Sequence, residues 1–585
     1  MKPLKSSCHA LYANVAAAGT AALRDSMEQD ARRARLILMT FTAHGGTATI
    51  PPFPMRRLRM LTGALGLLLL GNSIVQGTDW PQFRGATTDG VSSDPINVSW
   101  TSGGLTAVWT NRSLTNGFSS VAVSQGRAFV MTSRDDGSGL TEYCAAVDAA
   151  TGNNLWATPI DYAPWDPTYG GDGGSGSYPY DLGDGPRTTP SVKDGRVIAL
   201  SGLLHLVCMN ATNGSVTWSN DLVSQFGGST IGWDNCQSPC LDNDLVFLNL
   251  NTAFDDQTLA AFRVSDGTMA WSSQNEGVTH TTPVVATIQG VRQVIFATQT
   301  GLVSIDRTTG AFLWKYTYPF ASIDTSMGAN PVVYSNIVYC TAAYFRGAGA
   351  AQVTLANGTW TVTQLFSKTA SAGTAYRSIW MTPICYQGYI YTLCGENSTF
   401  LSTPLNCIEI STGNLKWSTN GFGMGGLILV DGKLLVLTED GQLVLAQANP
   451  NAYTELARYR AFQFDPNNRG KCWISPAFSN GRIYAHSTTA AISIDVSPPP
   501  LLKLLSPQFL NGTQLQLTVS TANGTPITSN RLSKVEVRAT NDIGAPFSTW
   551  TKLTNPLVLA TNGTARLTNT VTGQSRRYYI TVETP

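Results

Sequence analysis

The chain has 585 residues, a formal net charge of +1 and only 13% charged residues, and it contains 55 glycines. This length allows more than one domain. No basic stripe stands out, which excludes nucleic acid as a partner, while low charge and abundant glycine are typical of an all-β, loop-rich protein that works outside the cytoplasm.

The first element with a clear pattern is a basic and then apolar segment. Three arginines between Arg56 and Arg59 precede the apolar run Leu61–Leu70, and Val75–Gly77 follows with small residues. This order predicts a secretory signal peptide at residues 55–77. The apolar run is too short to indicate a membrane span, so membrane contact is expected only through the secretion signal.

Residues 1–54 precede this signal and leave two interpretations open. They are either sequence ahead of a later true start at Met55 or Met60, or a cytoplasmic extension before an uncleaved anchor. No cysteine follows the apolar run, so a lipoprotein signal is not indicated.

After the signal, a sequence motif of the form Ala-x-Asp-x-x-Thr-Gly-x-x-x-Trp, which we call the repeat phrase, recurs several times. Its clearest copies are Val147–Trp156 and Ile305–Trp314, and worn copies end at Trp218, Trp271 and Trp417. A fixed phrase at intervals of a few dozen residues indicates a repeat architecture.

Each copy closes a unit of four short strands, of which Pro283–Tyr316 is the clearest. The Asp-x-x-Thr-Gly part has turn chemistry, because Asp bonds its own backbone and Gly accepts positive φ. The tryptophan on the fourth strand offers a flat apolar body to a neighbouring unit. We therefore assign a structural role to Trp109, Trp156, Trp218, Trp271, Trp314 and Trp417.

Eight such units are counted, and the stacking that would bury their faces is a β-propeller. The units start near Phe118, Thr189, Ser238, Thr282, Asn330, Thr382, Gly425 and Ser475. The last one, Ile474–Val496, has about three strands, while Leu105–Thr110 resembles a fourth strand without a unit before it. The sequence thus predicts an all-β fold in which residues 78–497 form an eight-bladed β-propeller closed by an N-terminal strand.

Beyond Pro498–Pro500 the composition shifts to Thr, Asn and Val with alternating strands. Residues 498–585 are predicted to form a small β-sandwich of the immunoglobulin or fibronectin type.

Two cysteine pairs are candidates for a disulfide or for a metal site. Cys394 and Cys407 flank one predicted strand-to-strand loop and could form a disulfide. Cys236 and Cys240 have Cys-x3-Cys spacing, but no second Cys or His pair accompanies them, so structural or free thiols are the alternative and no metal site is assigned.

The repeat phrase resembles the pyrroloquinoline-quinone-type propeller repeat. That family includes quinoprotein alcohol dehydrogenases, the propeller lipoprotein of outer-membrane assembly, and many secreted bacterial propellers. Asp79–Gly85 (Asp-Trp-Pro-Gln-Phe-Arg-Gly), Gly183–Pro190 and the final sandwich resemble the secreted group. The resemblance covers about residues 79–497 and implies the fold rather than an activity.

Two departures concern the activities that the resemblance implies. Quinoprotein dehydrogenases carry adjacent cysteines over the quinone and a calcium held by Glu, Asn and Asp, and this chain has no Cys-Cys pair. No matching acidic set is found on the loops that should face the channel, and the lipid anchor of the assembly protein is absent. The alternative activities therefore are a quinone-dependent alcohol or polyol dehydrogenase, with the quinone and calcium, and an assembly factor.

One set of residues predicts a ligand site at the channel mouth. The loops that lead into the innermost strands carry Arg187, His280, Asn330, Arg377, Trp380, Lys471 and Trp473. Guanidinium groups grip carboxylates and indoles offer stacking faces, a combination that suits a planar polyanion. The competing interpretation is that the tryptophans fill the channel and that Arg187 and Arg377 pair with Asp234 or Asp324.

The insertion Pro159–Gly185 is a second candidate, because it combines five aromatic residues with several carboxylates, as sugar-binding sites do. A surface loop covering one blade is the other interpretation. No phosphate-binding loop, nucleophile elbow or zinc-protease motif is present, and no catalytic residue is assigned.

These observations favour an extracytoplasmic, monomeric and non-catalytic binding scaffold in the periplasm, at the cell surface or secreted. Its expected partner is a protein, a glycan or the cell surface, since propeller loops are variable and propeller faces broad.

Overall fold

The computed structural model describes residues 78–100, 105–135, 137, 139–163, 185–252, 257–320, 327–396, 403–463, 472–511, 513–571 and 577–583. These residues divide into two compact units, one ending at Pro498 and the other beginning at Pro499. The signal segment, Lys471 and most of the insertion after Pro159 lie outside the described residues.

Helices are few and short in the described part of the chain. They are α1 (Leu222–Phe226), α2 (Ser529–Leu532) and single 3-10 turns at Ala370–Ala372, Thr374–Tyr376 and Phe547–Thr549. α1 begins because the Asp221 side chain accepts hydrogen bonds from Val223 N and Ser224 N, and it ends at Gly227 with a φ of 69°. None of the described helices is long and apolar enough to cross a membrane.

The first unit consists of consecutive sheets, and strands that follow one another within a sheet pair antiparallel. Two strands come before them, β1 (Val91–Ser92) and β2 (Ala107–Asn111). The first four sheets are β3 (Ala122–Ser124), β4 (Arg127–Asp135), β5 (Leu140–Asp148) and β6 (Asn154–Tyr162); β7 (Ser191–Lys193), β8 (Arg196–Leu200), β9 (His205–Asn210) and β10 (Val216–Asp221); β11 (Cys240–Asp242), β12 (Leu245–Asn249), β13 (Leu259–Arg263) and β14 (Met269–Ser273); and β15 (Val284–Ile288), β16 (Val291–Ala297), β17 (Gly301–Asp306) and β18 (Phe312–Thr317).

The next sheets continue the same order and take in the two early strands. They are β19 (Val332–Tyr334), β20 (Ile337–Ala342), β21 (Gly347–Ala356) and β22 (Thr359–Lys368); β23 (Ile384–Tyr386), β24 (Tyr389–Leu393), β25 (Leu405–Glu409) and β26 (Leu415–Thr419); β27 (Gly426–Val430), β28 (Lys433–Leu437), β29 (Gln442–Gln447) and β30 (Glu455–Arg460); and β31 (Ala477–Ser479), β32 (Arg482–Ser487) and β33 (Ala490–Asp495).

The early strands complete two of these sheets. β2 pairs antiparallel with β33 and becomes the fourth strand of the last sheet, as the sequence predicts for residues 105–110. β1 adds in parallel to β27. The all-β class is confirmed, and the consecutive four-stranded sheets are consistent with a β-propeller.

The repeat phrase forms the turn between the third and fourth strands. Asp148 Oδ1 accepts hydrogen bonds from Ala150 N (3.0 Å), Thr151 N (2.8 Å) and Thr151 Oγ1 (2.9 Å). The hydrogen bond from Thr151 N is the main cause that holds the pKa of Asp148 below its usual value. Gly152 completes the turn with a φ of 74°.

The repeat tryptophans other than Trp314 pack against a turn of a neighbouring sheet. Trp156 Nε1 donates to Ala211 O at 3.2 Å, and its ring covers Gly214, where an added Cβ would lie 2.6 Å from the indole. The same relation joins Trp109 to Ala149 and Gly152, Trp218 to Val264 and Gly267, and Trp271 to Arg307 and Gly310. Trp417 Nε1 donates to Asn449 O at 2.8 Å.

Trp314 is the exception among these tryptophans. Its Nε1 donates to Gln293 Oε1 at 2.6 Å, within its own sheet. The following sheet lacks the repeat phrase and has an Asn357-Gly358 turn, so the carbonyl and glycine of that phrase are not offered to the indole. In that sheet Phe366 takes the place of the tryptophan and covers Gly413 of the next sheet.

Residues 78–92 cross the inner edges of the first strands. Trp80 pairs with Val123 through two backbone hydrogen bonds, and Pro81 O accepts from Val192 N at 2.7 Å. The Gln82 side chain makes two hydrogen bonds to the backbone of Leu241. Inner strands of three residues leave N–H and C=O groups without a further strand, and this segment satisfies several of them.

Arg84 is the buried centre of that segment, with 2% of its surface exposed. Its guanidinium donates to the carbonyl oxygens of Thr382 (3.2 Å), Leu427 (3.3 Å), Pro383 (2.8 Å) and Asp89 (3.0 Å). Burial lowers the pKa of Arg84 to about 10, which leaves it charged at neutral pH. The planar fork of five donors suits this site, because it can serve several carbonyls at once.

The second unit contains two antiparallel sheets around one apolar cluster that includes Leu517, Val537 and Leu567. Their strands are β34 (Leu502–Leu504), β35 (Gln508–Phe509), β36 (Gln514–Thr521), β37 (Val535–Thr540), β38 (Thr551–Lys552), β39 (Val558–Leu559), β40 (Ala565–Thr570) and β41 (Tyr578–Glu583). One sheet has the order β34-β36-β40-β39 with β35 beside β36, and the other has the order β38-β37-β41.

The disulfide considered for Cys394 and Cys407 is wrong, since both thiols are free. Cys394 N donates to Pro404 O, whereas Cys407 lies opposite Tyr391. This register separates the two cysteines along the strands. Burial raises the pKa of Cys394 to about 12 and that of Cys407 to about 11, so both remain protonated.

Candidate functional site

A chain of hydrogen bonds joins the segments that lead into the first strands of successive sheets. In each link a backbone N–H donates to a side-chain oxygen of the next sheet. The links are Ser120 N to Thr189 Oγ1 (3.0 Å), Thr189 N to Ser238 Oγ (2.9 Å), Ser238 N to Thr282 Oγ1 (2.9 Å), Thr282 N to Asn330 Oδ1 (2.9 Å) and Asn330 N to Thr382 Oγ1 (3.0 Å). Asn330, a predicted ligand residue, is thus a buried link between sheets.

This series of hydrogen bonds takes a different form at the β27 sheet, where glycines occupy the positions that hold Ser, Thr or Asn in the other sheets. A Cβ on Gly426 would lie 2.3 Å from Ile474 O. The backbones of two neighbouring sheets therefore meet directly there, and only glycine permits that approach.

Trp380 and Trp473 are in contact at the same level of the molecule. Their ring centroids lie 4.8 Å apart at 40°, and Trp473 also stacks on Phe118 at 5.3 Å and 24°. Trp380 Nε1 donates to Met424 O at 3.2 Å. Aromatic rings at these distances stabilise each other, so the two indoles form part of a packed aromatic cluster.

A buried carboxylate, Glu439, holds one side of this cluster. Its Oε1 accepts from Trp473 Nε1 at 3.0 Å and its Oε2 from Met424 N at 3.0 Å, and 1% of the residue is exposed. Charge-assisted hydrogen bonds of this kind fix the orientation of the indole.

Arg377 takes part in a different group, which we call the Phe345 corner: Tyr344, Phe345, Arg377 and Glu396. Arg377 Nη1 lies 2.8 Å from Glu396 Oε1, with 5% and 11% of the two side chains exposed. Phe345 N donates to Glu396 Oε2 at 3.3 Å, and the guanidinium carbon of Arg377 lies 5.1 Å from the centre of the Phe345 ring. One buried ion pair therefore supports an aromatic ring from two directions.

The other predicted residues are placed separately. Arg187 Nη1 donates to Trp233 O at 3.3 Å. His280 N donates to Met327 O at 3.0 Å. Of the predicted set, the structure brings Trp380 and Trp473 into contact, commits Arg377 to the Phe345 corner and Asn330 to the link between sheets, and leaves Lys471 outside the described residues.

The sequence prediction lacks Glu439 and three residues of the Phe345 corner: Tyr344, Phe345 and Glu396. All four lie on loops between the second and third strands of a sheet, whereas the prediction considered only loops that lead into first strands. In an antiparallel sheet, the loop before the first strand and the loop between the second and third strands lie at the same end of the sheet. The acidic and aromatic residues of the loops between second and third strands could therefore have been included in the prediction.

The fit of a calcium-bound quinone is tested by the chemistry of these donors. Glu396 is bonded to Arg377, and Glu439 accepts from Trp473 and Met424. Within the described ranges, no group of three or more His, Cys, Asp or Glu side chains is arranged to hold a metal ion. The described residues at this edge do not fit that cofactor.

Comparison with known families places the repeat. The family described as "Outer membrane protein assembly factor BamB" matches residues 140–368. Over these residues the match supports a repeat of the pyrroloquinoline-quinone-like propeller type. No curated protein matches the chain.

Solved structures with similar folds include three of different origin. BamB from Moraxella catarrhalis is 14% identical, with 67% of this chain and 97% of that chain covered and a TM-score of 0.43. Quinohemoprotein alcohol dehydrogenase from Comamonas testosteroni is 13% identical, with 74% and 83% covered and a TM-score of 0.49. The computationally designed Ika8 protein is 11% identical, with 67% and 98% covered and a TM-score of 0.40.

Proposed function

We propose that residues 78–497 form an eight-bladed β-propeller ring closed by β2, followed by a β-sandwich, and that the ring is a non-catalytic scaffold that binds a protein in the cell envelope. The succession of sheets and the pairing of β2 with β33 support the ring. The secretion signal predicted at residues 55–77 supports export. The match to a family described as an outer membrane protein assembly factor supports a protein partner.

The Phe345 corner is the observation on which binding rests. Phe345 is 70% exposed and Tyr344 is 43% exposed. Both have positive φ, at 66° and 47°. Bulky residues rarely adopt this conformation, and such strain is concentrated at functional sites.

The corner also has the rigidity that a binding anchor needs. The Arg377–Glu396 pair supports the ring and the backbone of Phe345, so little conformational entropy remains to be lost when a partner covers it. Exposed aromatic rings held in one orientation are typical centres of protein interfaces. The sequence-predicted ligand residue Arg377 would then act by holding Phe345 rather than by touching a small molecule.

The alternative of a quinone-dependent dehydrogenase is less favoured by the same contacts. A planar cofactor needs a free stacking face and a set of carboxylates for its calcium. Trp473 is already stacked on Phe118 and in tilted contact with Trp380, and Glu439 is already bonded to Trp473.

The proposal is tested by placing a photo-crosslinking phenylalanine analogue at position 345 of the full chain in a bacterial host. The matched control carries it at Phe312, which is 48% exposed on β18. We expect a light-dependent adduct to an envelope protein at position 345 and not at position 312. The adduct should weaken when Arg377 is replaced by Lys, because Lys cannot bond Glu396 and cover the ring together.

A titration of the purified full chain with pyrroloquinoline quinone and calcium completes the test. We expect no saturable change in the absorption spectrum. Saturable binding at micromolar quinone, together with equal adducts at positions 345 and 312, would replace the scaffold by a cofactor-dependent enzyme.

A further inference from the structure

Asp94 is a buried residue whose carboxylate accepts hydrogen bonds from two groups of one residue, Thr78. It is 8% exposed, and its Oδ2 accepts from Thr78 N at 2.7 Å and from Thr78 Oγ1 at 3.1 Å. In the described part of the chain, no Lys, Arg or His side chain is paired with Asp94. A buried carboxylate with only neutral donors is an expensive arrangement, and a cation in the same place would stabilise it.

Thr78 is held in position by the sheets around it. Thr78 O accepts from Ser479 Oγ at 3.0 Å. The next residue, Asp79, accepts through Oδ2 from Ser124 Oγ at 2.7 Å and from Gln125 N at 3.2 Å. The nitrogen of Thr78 is therefore aimed at Asp94 by contacts that do not involve Asp94.

Thr78 is also the residue that follows the predicted signal peptide. We propose that the Gly77–Thr78 bond is the processing site and that the new α-ammonium group of Thr78 forms an ion pair with Asp94. In this step water adds across the peptide C–N bond, in a hydrolysis carried out by a signal peptidase. Gly77 leaves with a carboxylate, and the nitrogen of Thr78 takes up a proton to become the ammonium group.

The ion pair has a structural consequence for the first unit. It fastens the start of residues 78–92, the segment that satisfies the inner edges of several first strands. Before cleavage Asp94 meets a neutral amide, and after cleavage it meets a positive charge at the same 2.7 Å position. Export and final stability are thereby coupled through one contact, because the new positive charge attracts the buried carboxylate, which a neutral amide does not compensate.

The experiment uses the full chain produced in a secreting bacterial host. The N-terminus of the exported protein is read by intact mass and N-terminal sequencing. The α-amine is then acylated with N-hydroxysuccinimidyl acetate at pH 7 in wild type, in Asp94→Asn and in Asp89→Asn. Asp89 is the matched control, since it is an exposed carboxylate of the same segment that accepts from Thr87 Oγ1 and Val91 N.

We expect an N-terminus at Thr78 and acylation about tenfold faster in Asp94→Asn than in wild type or Asp89→Asn, because a carboxylate paired with the ammonium group keeps it protonated and therefore unreactive. A different N-terminus or equal rates would overturn the inference. If Asp94→Asn is not exported, wild type in buffer and in urea gives the same decision: about tenfold protection in the folded state is expected, and none would reject the pair.

This inference rests on the export that the proposed function includes, and on nothing at the Phe345 corner. A failed crosslink at position 345 with a protected Thr78 amine would remove the binding proposal alone. A free Thr78 amine with a specific crosslink would remove the ion pair alone.

Discussion

The indole of Trp109 lies on Gly152, and its Nε1 donates to Ala149 O at 3.0 Å. Trp109 belongs to β2, which completes the last sheet, and Gly152 belongs to the turn of the first. The same contact that joins neighbouring sheets elsewhere thus joins the two ends of the series. Position 152 requires glycine for two reasons: its φ is 74°, and the Trp109 ring leaves no room for a Cβ.

Replacing Gly152 by Ala should therefore destabilise the first unit strongly. An added Cβ would lie 2.6 Å from the Trp109 ring. Left-handed strain and overpacking together lead us to expect a loss of about 3 kcal/mol. Gly195→Ala is the control, because Gly195 has a φ of 75° but nothing within 4 Å of the added atom. It should lose only about 1 kcal/mol, and equal shifts of the two urea midpoints would contradict the packing role.

Arg84→Lys should loosen the segment that crosses the inner strands. A lysine cannot donate to Thr382, Pro383, Leu427 and Asp89 together, so buried carbonyls lose their donors, at about 3 kcal/mol. The amide of Leu429, which donates to Gly90 O at 2.8 Å, should exchange faster with solvent deuterium.

Arg458→Lys is the control for this change, since Arg458 pairs with Glu455 at a partly exposed site. Its effect should be below about 1 kcal/mol. An unchanged exchange rate at Leu429 in Arg84→Lys would show that the carbonyl contacts are dispensable.

Trp473→Phe tests the aromatic cluster without removing its apolar bulk. Phenylalanine keeps a ring beside Phe118 and Trp380 but loses the hydrogen bond to Glu439, so we expect a loss of about 2 kcal/mol. The loss should shrink when Glu439 is first replaced by Gln, since the two residues share one interaction. Additive losses in the double-mutant cycle would contradict the pairing.

The local parts of the fold follow from the sequence because their causes are local. Asp148 bonds residues two and three positions ahead, so its turn is visible in the phrase itself. The pairing of residues 105–110 with the last sheet could be predicted because the last unit has three strands and its tryptophan is found at the other end.

The candidate site was harder to predict because its contacts join distant loops. The sequence leaves Asp234 and Asp324 as possible partners of Arg377, and Asp324 lies outside the described residues. The structure adds Glu396 as a partner of Arg377 and Phe345 as the ring beside it, and neither was considered from the sequence. Which loops meet depends on how two neighbouring sheets are aligned, and no local pattern states this. The disulfide considered for Cys394 and Cys407 is wrong for a related reason. The two residues flank one loop in the sequence, but the register of the two strands separates them.

His486 predicts how the first unit responds to acid. It is fully buried, with Nδ1 2.9 Å from Ser119 O. Burial lowers the pKa of His486 from 6.5 to about 4. Between these values the unfolded chain binds a proton that the folded chain does not, so stability is fully present above pH 6.5 and falls as the pH drops toward 4, by about 3 kcal/mol.

The window from pH 6.5 to about 5 separates this effect from carboxylate titration, because most Asp and Glu side chains protonate below it. In His486→Gln the thermal midpoint should be lower at pH 7.5, since the buried ring is lost, but nearly flat across this window. The wild-type midpoint should fall there by several degrees. A wild-type midpoint as flat as that of the variant would show that His486 becomes charged within the fold without penalty, contrary to its buried position.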